Sequence, residues 1–375
     1  MAIGRSARWV VSVLVLITVG GVLLSSSLLH DDRDGTEGDK AAAAASLASP
    51  SSRRAEDHND RFGTLDLVKS LMNPCAVEYF ESNFRHWERQ RDADIDRRAS
   101  LHEAAGVDHV YMVHYHPPGN ERAQKRYERM ERILGAHNMS ADYVLGFNKE
   151  DFTPPMISCL IEKWEPSKYT GLKVERKQPR DRLKPAQRSV LIKHHSALYD
   201  MARRQFASAL ILEDDALLRT RFVQRLKVVM ADVPRPYDLV WVGGCIKMHA
   251  YRAKYRATRL TKHVYAKQEA RCAHAYVVSQ NGAQKLLQGY PFTLAIDFQI
   301  TAAMVESNLL SYWIEPFLSV QGDFGNCTTG DELGAKCINV EREGFAKYFN
   351  ESYAADDSVD SRWSDVPLYQ SKRRR

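Results

Sequence analysis

Leu210–Leu218 reads LILEDDALL: an apolar run, the adjacent acids Glu213, Asp214 and Asp215, then more apolar residues, with no Lys or Arg before Arg219. Ala209–Leu212 has the character of a buried strand, so the acids sit where that strand ends. Neighbouring carboxylates repel by roughly 4 kcal/mol per pair at about 4 Å and an effective dielectric near 20. Water, protonation or a cation must relieve that repulsion. One relief is local: Asp214 or Asp215 caps a helix expected to start at Ala216. The other is a hard cation such as Mg²⁺ or Mn²⁺, which takes one or two carboxylates and completes its shell with water and phosphate oxygens. Strand alternation would present Glu213 and Asp215 to one side and Asp214 to the other.

Outward from this stretch, strands and helices alternate. Strand character is found in His109–Tyr115, Ala141–Phe147, Tyr237–Gly243 and Ala275–Ser279, and helical character in Glu121–Leu134, Val190–Arg204 and Gly282–Leu287. That order predicts an α/β domain with a mostly parallel sheet. Ligands of such sheets bind beyond the carboxyl ends of the strands, where Glu213–Asp215 lie.

The wider chain bounds the setting. Its 375 residues carry 53 Lys and Arg against 47 Asp and Glu, a net charge of +6. That balance does not suggest a nucleic-acid partner, which calls for a concentrated basic stripe with readout elements. Trp9–Leu29 has no charged residue and would span roughly 31 Å as a helix, and Arg5 and Arg8 precede it. We therefore expect a type II membrane anchor, with a cleaved signal peptide as the competing reading. Residues 30–63 are polar and Ala-rich and read as a flexible stem. Thr64–Arg98 has helical spacing, with Pro74 marking a break. Six cysteines and three N-x-S/T triplets, at Asn138, Asn326 and Asn350, fit an oxidising lumen. Cys327–Cys337 is the expected bridge. Two basic segments stand out: Glu162–Arg188, with nine Lys or Arg against four acids, and Lys247–Arg271, with eight against Glu269 alone. They read either as solvated loops or as a cover for an anionic ligand such as a diphosphate.

LILEDDALL resembles the metal-binding signature of glycosyltransferase family 25, which includes bacterial lipooligosaccharide sugar transferases and animal collagen galactosyltransferases. In the family's order, VYMVHYHPPGNERAQKRYERM, KHHSALYDMA, PYDLVWVGG, AYVVSQNGAQKLL, LAIDFQI and WIEPFLSVQ are similar to its other segments, from Val107 to Phe324. The first strand lacks the family's Asn-Leu-acid-Arg run, and His194 stands where a Ser is usual. The resemblance implies a GT-A type fold that binds a UDP-sugar and Mn²⁺ or Mg²⁺ and inverts the anomeric carbon. It implies a hexose, galactose before glucose, passed to a glycan or protein hydroxyl. Glu213, Asp214 and Asp215 would hold the metal. Asp297 would be the general base, or else a helix-capping Asp. Arg122 and His195 are the candidate donor-binding residues; a surface ion pair and a packed structural histidine are their respective alternatives. The expected organisation is a cytosolic segment 1–8, an anchor 9–29, a stem 30–63, a helical lead-in 64–104, a catalytic domain 105–350 and a tail 351–375, in the Golgi or endoplasmic reticulum membrane. Rival readings are a non-catalytic lumenal glycan-binding protein and a metal-dependent phosphoesterase.

Overall fold

The computed structural model describes residues 66, 69–70, 72–87, 101–161, 183–244 and 248–321. The expected anchor, stem, C-terminal tail and the Cys327–Cys337 pair lie outside the described residues. Among the described residues no helix is long and apolar enough to cross a membrane.

The centre is an eight-stranded sheet. Its first half consists of β1 (His109–Val113), β2 (Asp142–Val144) and β3 (Ser208–Glu213), with β2 and β3 both parallel to β1. Next to β3 lies β9 (Ala275–Ser279), which runs antiparallel to it and to β5 (Leu239–Trp241). β10 (Ser311–Ile314) continues parallel to β5, and the antiparallel β8 (Val264–Ala266) and edge strand β7 (Thr258–Arg259) close the sheet. The sheet is thus mixed, with most strands sharing one direction and an antiparallel strand inserted at its centre. A second sheet of three short strands orders β4 (Ala216–Leu218), β11 (Ser319–Gln321) and β6 (Gly243–Gly244).

The central strands are apolar on both faces because helices cover both. Tyr111, Ile211 and Tyr276 pack in one core with α4 (Pro185–Arg204), α6 (Gln280–Leu287) and α7 (Ile296–Glu306). Met112, Leu212 and Val277 pack in the other with α2 (Glu121–Ala136) and α5 (Phe222–Asp232). Helix α4 begins five residues before its predicted start, because Pro185 has its φ set for a first helical position and Gln187 accepts from the Lys184 N–H at 2.9 Å.

In the lead-in, residues 66, 69 and 70 are helical, the helix is interrupted at Met72–Asn73, and Pro74 marks that break by opening α1 (Pro74–Trp87), where the missing N–H costs nothing. Phe80 is fully buried against Tyr199 of α4, with ring centroids 5.5 Å apart. Cys75 of α1 is bonded to Cys159 of α3 (Pro154–Leu160), and Cys272 is also in a disulfide. Closing a loop of 84 residues restricts the unfolded chain. Replacing Cys75 and Cys159 by Ser is therefore expected to lower stability by about 2–4 kcal/mol in urea titration.

Candidate functional site

LILEDDALL crosses from the large sheet to the small one. At the end of β3, Glu213 pairs with Val113 and donates its N–H to the His274 carbonyl at 2.9 Å. Asp214 and Asp215 then form the turn into β4. The helix expected at Ala216 is absent: Ala216–Leu218 pairs antiparallel with Ser319–Gln321, so neither aspartate caps a helix. Leu217 prefers this arrangement because it buries against Phe317 and Val320.

The three carboxylates have different surroundings. Asp214 is saturated. Its Oδ2 accepts from His114 Nδ1 at 2.7 Å and the Tyr115 N–H at 3.3 Å, its Oδ1 accepts from Arg126 at 2.8 Å, and its carbonyl accepts from Arg129 at 2.7 Å. Burial alone would raise this carboxyl, but the His114 hydrogen bond and the Arg126 charge prevail and hold it at about 2. Asp215 accepts from Gln321 Nε2 at 2.9 Å through Oδ2, while its buried Oδ1 has no hydrogen-bond partner among the described residues. Burial and then the Asp214 charge push its carboxyl up to about 6. Glu213 Oε1 lies 3.0 Å from His194 Nε2, and burial, Asp215 and Asp297 raise its carboxyl well above the usual range. His194 is held neutral by burial, down to about 3, so a consistent tautomer donates Nε2–H to Glu213 and accepts the Tyr276 hydroxyl at Nδ1, 3.1 Å away.

All three acids face a cleft of about 720 Å³. Its opposite wall is built by the turn after β1 and the start of α2. Gly119 holds φ +71 there, and Asn120 Oδ1 accepts from the Ala123 N–H at 3.0 Å, capping the helix that carries Arg122 and Arg126 into the cleft. Lys193 lies at the cleft floor. Its buried ammonium donates to the carbonyls of His114, Val144 and Leu145 at 2.8, 3.1 and 3.0 Å, which ties the loops after β1 and β2 together. Burial lowers its pKa to about 7.

Arg122 lines the cleft. His195 does not: it is buried, donates from Nδ1 to the Leu191 carbonyl at 2.8 Å and packs on Phe292 with ring centroids 3.7 Å apart. Asp297 is half-buried in the first turn of α7, next to Glu213 rather than in the cleft lining. Its Oδ1 accepts from the Ala273 N–H at 2.8 Å, and burial raises its carboxyl. The cleft's cations, Arg122, Arg126, Lys149 and Lys193, come from α2, the loop after β2 and α4. No described cation of the two basic segments lines it.

His114, Arg126, Lys193 and His194 join the site without having been among the residues the sequence pointed to. Arg126 had a signal, since it follows Arg122 by one helical turn and shares its face. The backbone carbonyls that hold Lys193 left no mark in the sequence.

Among the described residues no three His, Cys, Asp or Glu side chains converge on a point that could hold a metal. An ion with one or two protein carboxylates and a shell completed by phosphate oxygens still fits. The unpartnered Oδ1 of Asp215 suits one such ligand and Glu213 a second. Asp214 does not fit, because both its oxygens are engaged.

The sheet fits a Rossmann-like or GT-A-like fold, and its carboxylates above a cation-lined cleft lie at a strand's carboxyl end, where such sheets bind their ligands. Residues 121–300 match the family described as Glycosyltransferase family 25 (LPS biosynthesis protein). That match supports assigning residues 121–300 to glycosyltransferase family 25, and with it a glycosyltransferase working between a nucleotide-sugar donor and an acceptor. No curated protein matches the chain.

Proposed function

We propose that the protein is a metal-dependent, inverting hexosyltransferase that moves galactose, or secondarily glucose, from a UDP-sugar to a hydroxyl of a glycan or protein. The observation that carries this reading is the buried, unpartnered Oδ1 of Asp215 beside Glu213, in a cleft whose other wall presents Arg122 and Arg126. Bound there, Mn²⁺ or Mg²⁺ would supply charge neutralisation on the leaving diphosphate.

The chain's own residues do the remaining work. Asp215 and Glu213 hold the ion, with Glu213 oriented by His194. Arg122 and Lys149 contribute positive charge to the donor's phosphates. Asp214 keeps the turn and the α2 wall in register through His114 and Arg126. Asp297 is the base in this reading. Inversion by single displacement needs a carboxylate to take the acceptor's proton, and the raised pKa of Asp297 makes it a better acceptor of that proton. We place the catalytic domain, residues 105–350, in the lumen of the Golgi or endoplasmic reticulum behind a type II anchor at 9–29. The Cys75–Cys159 bond supports an oxidising compartment.

A thermal-shift screen with Mn²⁺ and individual nucleotide sugars tests the proposal. Stabilisation by UDP-galactose is expected, about 2.7 kcal/mol at a hundredfold excess over Kd. Asp297→Ala should retain that shift and lose turnover. If no nucleotide sugar stabilises the wild type in the presence of metal, the donor assignment fails.

A further inference from the structure

Residues 249–262 form a surface that the cleft does not use. Three rings stack outward: Phe317, His249 and Tyr251, with centroids 4.9 Å apart at each step. Exposure rises along the stack, from 3% at Phe317 to 44% at Tyr251. Beside the outermost ring come Arg252, Lys254, Arg256, Arg259 and Lys262, all exposed, with no acid in the segment. None of the five forms an ion pair with a described residue. Charges on an edge strand can simply block unwanted pairing, but only Arg259 lies in β7, and Lys254 lies 4.5 Å over the Tyr255 ring, so those roles leave Arg252, Arg256 and Lys262 unaccounted for.

The surface is joined to the acid site. Phe317, the root of the stack, packs with Leu217 and Val320, which adjoin the carboxylate turn and Gln321 respectively. Gln321 follows Phe317 by four positions, at most roughly 13 Å of extended chain, and Gln321 bonds Asp215 at 2.9 Å.

We propose that this surface binds an acidic glycan, sulfated or carboxylated, on the acceptor side of the cleft. The C–H face of a sugar ring packs on an aromatic face that carries partial negative charge, so Tyr251 offers a platform for the ring. The exposed cations that follow Tyr251 in the chain pair with the glycan's sulfate or carboxylate groups. A neutral glycan would leave those cations without partners, and Tyr251 offers the sugar ring a stacking face that a charge-only partner would not use. The acceptor role rests on the transferase reading above, while the binding itself does not.

The test measures binding of a heparin dodecasaccharide to the full-length chain, to Tyr251→Ala and to the triple variant Arg252→Ser, Lys254→Ser, Arg256→Ser. Affinity of the triple variant should fall by about tenfold or more, in a salt-dependent manner. Tyr251→Ala should also weaken binding, a dextran of equal length should not bind, and the UDP-galactose thermal shift should be the same in all three proteins. The proposal is overturned if either variant binds like the wild type, if dextran binds as well as heparin, or if the chain binds only phosphatidylserine vesicles. If heparin binds as expected but no nucleotide sugar stabilises the chain, the acceptor role falls and the glycan surface remains.

Discussion

Asp215→Asn is expected to reduce kcat/KM by about 10²–10³ while making the metal-free protein more stable. Activity falls because the amide is a poor ligand for a hard cation and cannot offset charge on a diphosphate. Stability rises because the wild-type carboxylate is buried beside Asp214 with Oδ1 unpartnered, while the Asn oxygen can still accept from Gln321. The gain should be on the order of 1–3 kcal/mol at neutral pH, measured by urea titration in the presence of a chelator. The sign with pH follows from the raised folded pKa. Above the unfolded value near 4, the folded state increasingly resists ionisation, and the full cost is reached once pH passes the folded value of about 6. The wild type should therefore lose this increment as pH rises from about 4 to about 6, and the variant should not.

Asp214→Ala should behave in the opposite way, losing about 3–5 kcal/mol of stability. The substitution strands Arg126 and the fully buried His114 without their shared carboxylate. The folded pKa here is lowered to about 2, so the stabilisation is present above the unfolded value near 4 and is lost as pH falls through the folded one. An acid-induced unfolding curve should show that loss in the wild type and not in the variant. Asp214→Asn, which keeps one acceptor, should recover part of the stability. Should it unfold as readily as the alanine variant, the hydrogen bonds would not be the source of the stabilisation.

Adjacent acids with opposite mutational signs could not be told apart in LILEDDALL. The alternation of period two places Glu213 and Asp215 together and Asp214 apart, but the strand ends at Glu213, Asp214 and Asp215 form a turn, and all three acids face one cleft, where they differ in partners rather than in side. What alternation could not supply is the identity of the partners: His114 and Arg126 lie 100 and 88 residues from Asp214. The same limit explains the helix expected at Ala216. Ala, Leu and Leu suit a helix locally, and only the arrival of Ser319–Gln321 turns them into a strand. The Tyr237–Gly243 run likewise divides between two sheets, because Val242 gives its carbonyl to Leu318 at 2.7 Å.

The sequence by itself determined the α/β alternation and the acidic strand end, because each depends on local periodicity or composition, and its ordered motifs carried the resemblance to the transferase family. The tertiary structure decided which acid is clamped and which is left with an unpartnered oxygen. It also decided that His194 rather than His195 reaches the site, and that Lys193 rather than a basic loop underlies the cleft. Those outcomes depend on burial and on partners distant in the chain, and these set the protonation and orientation of each side chain.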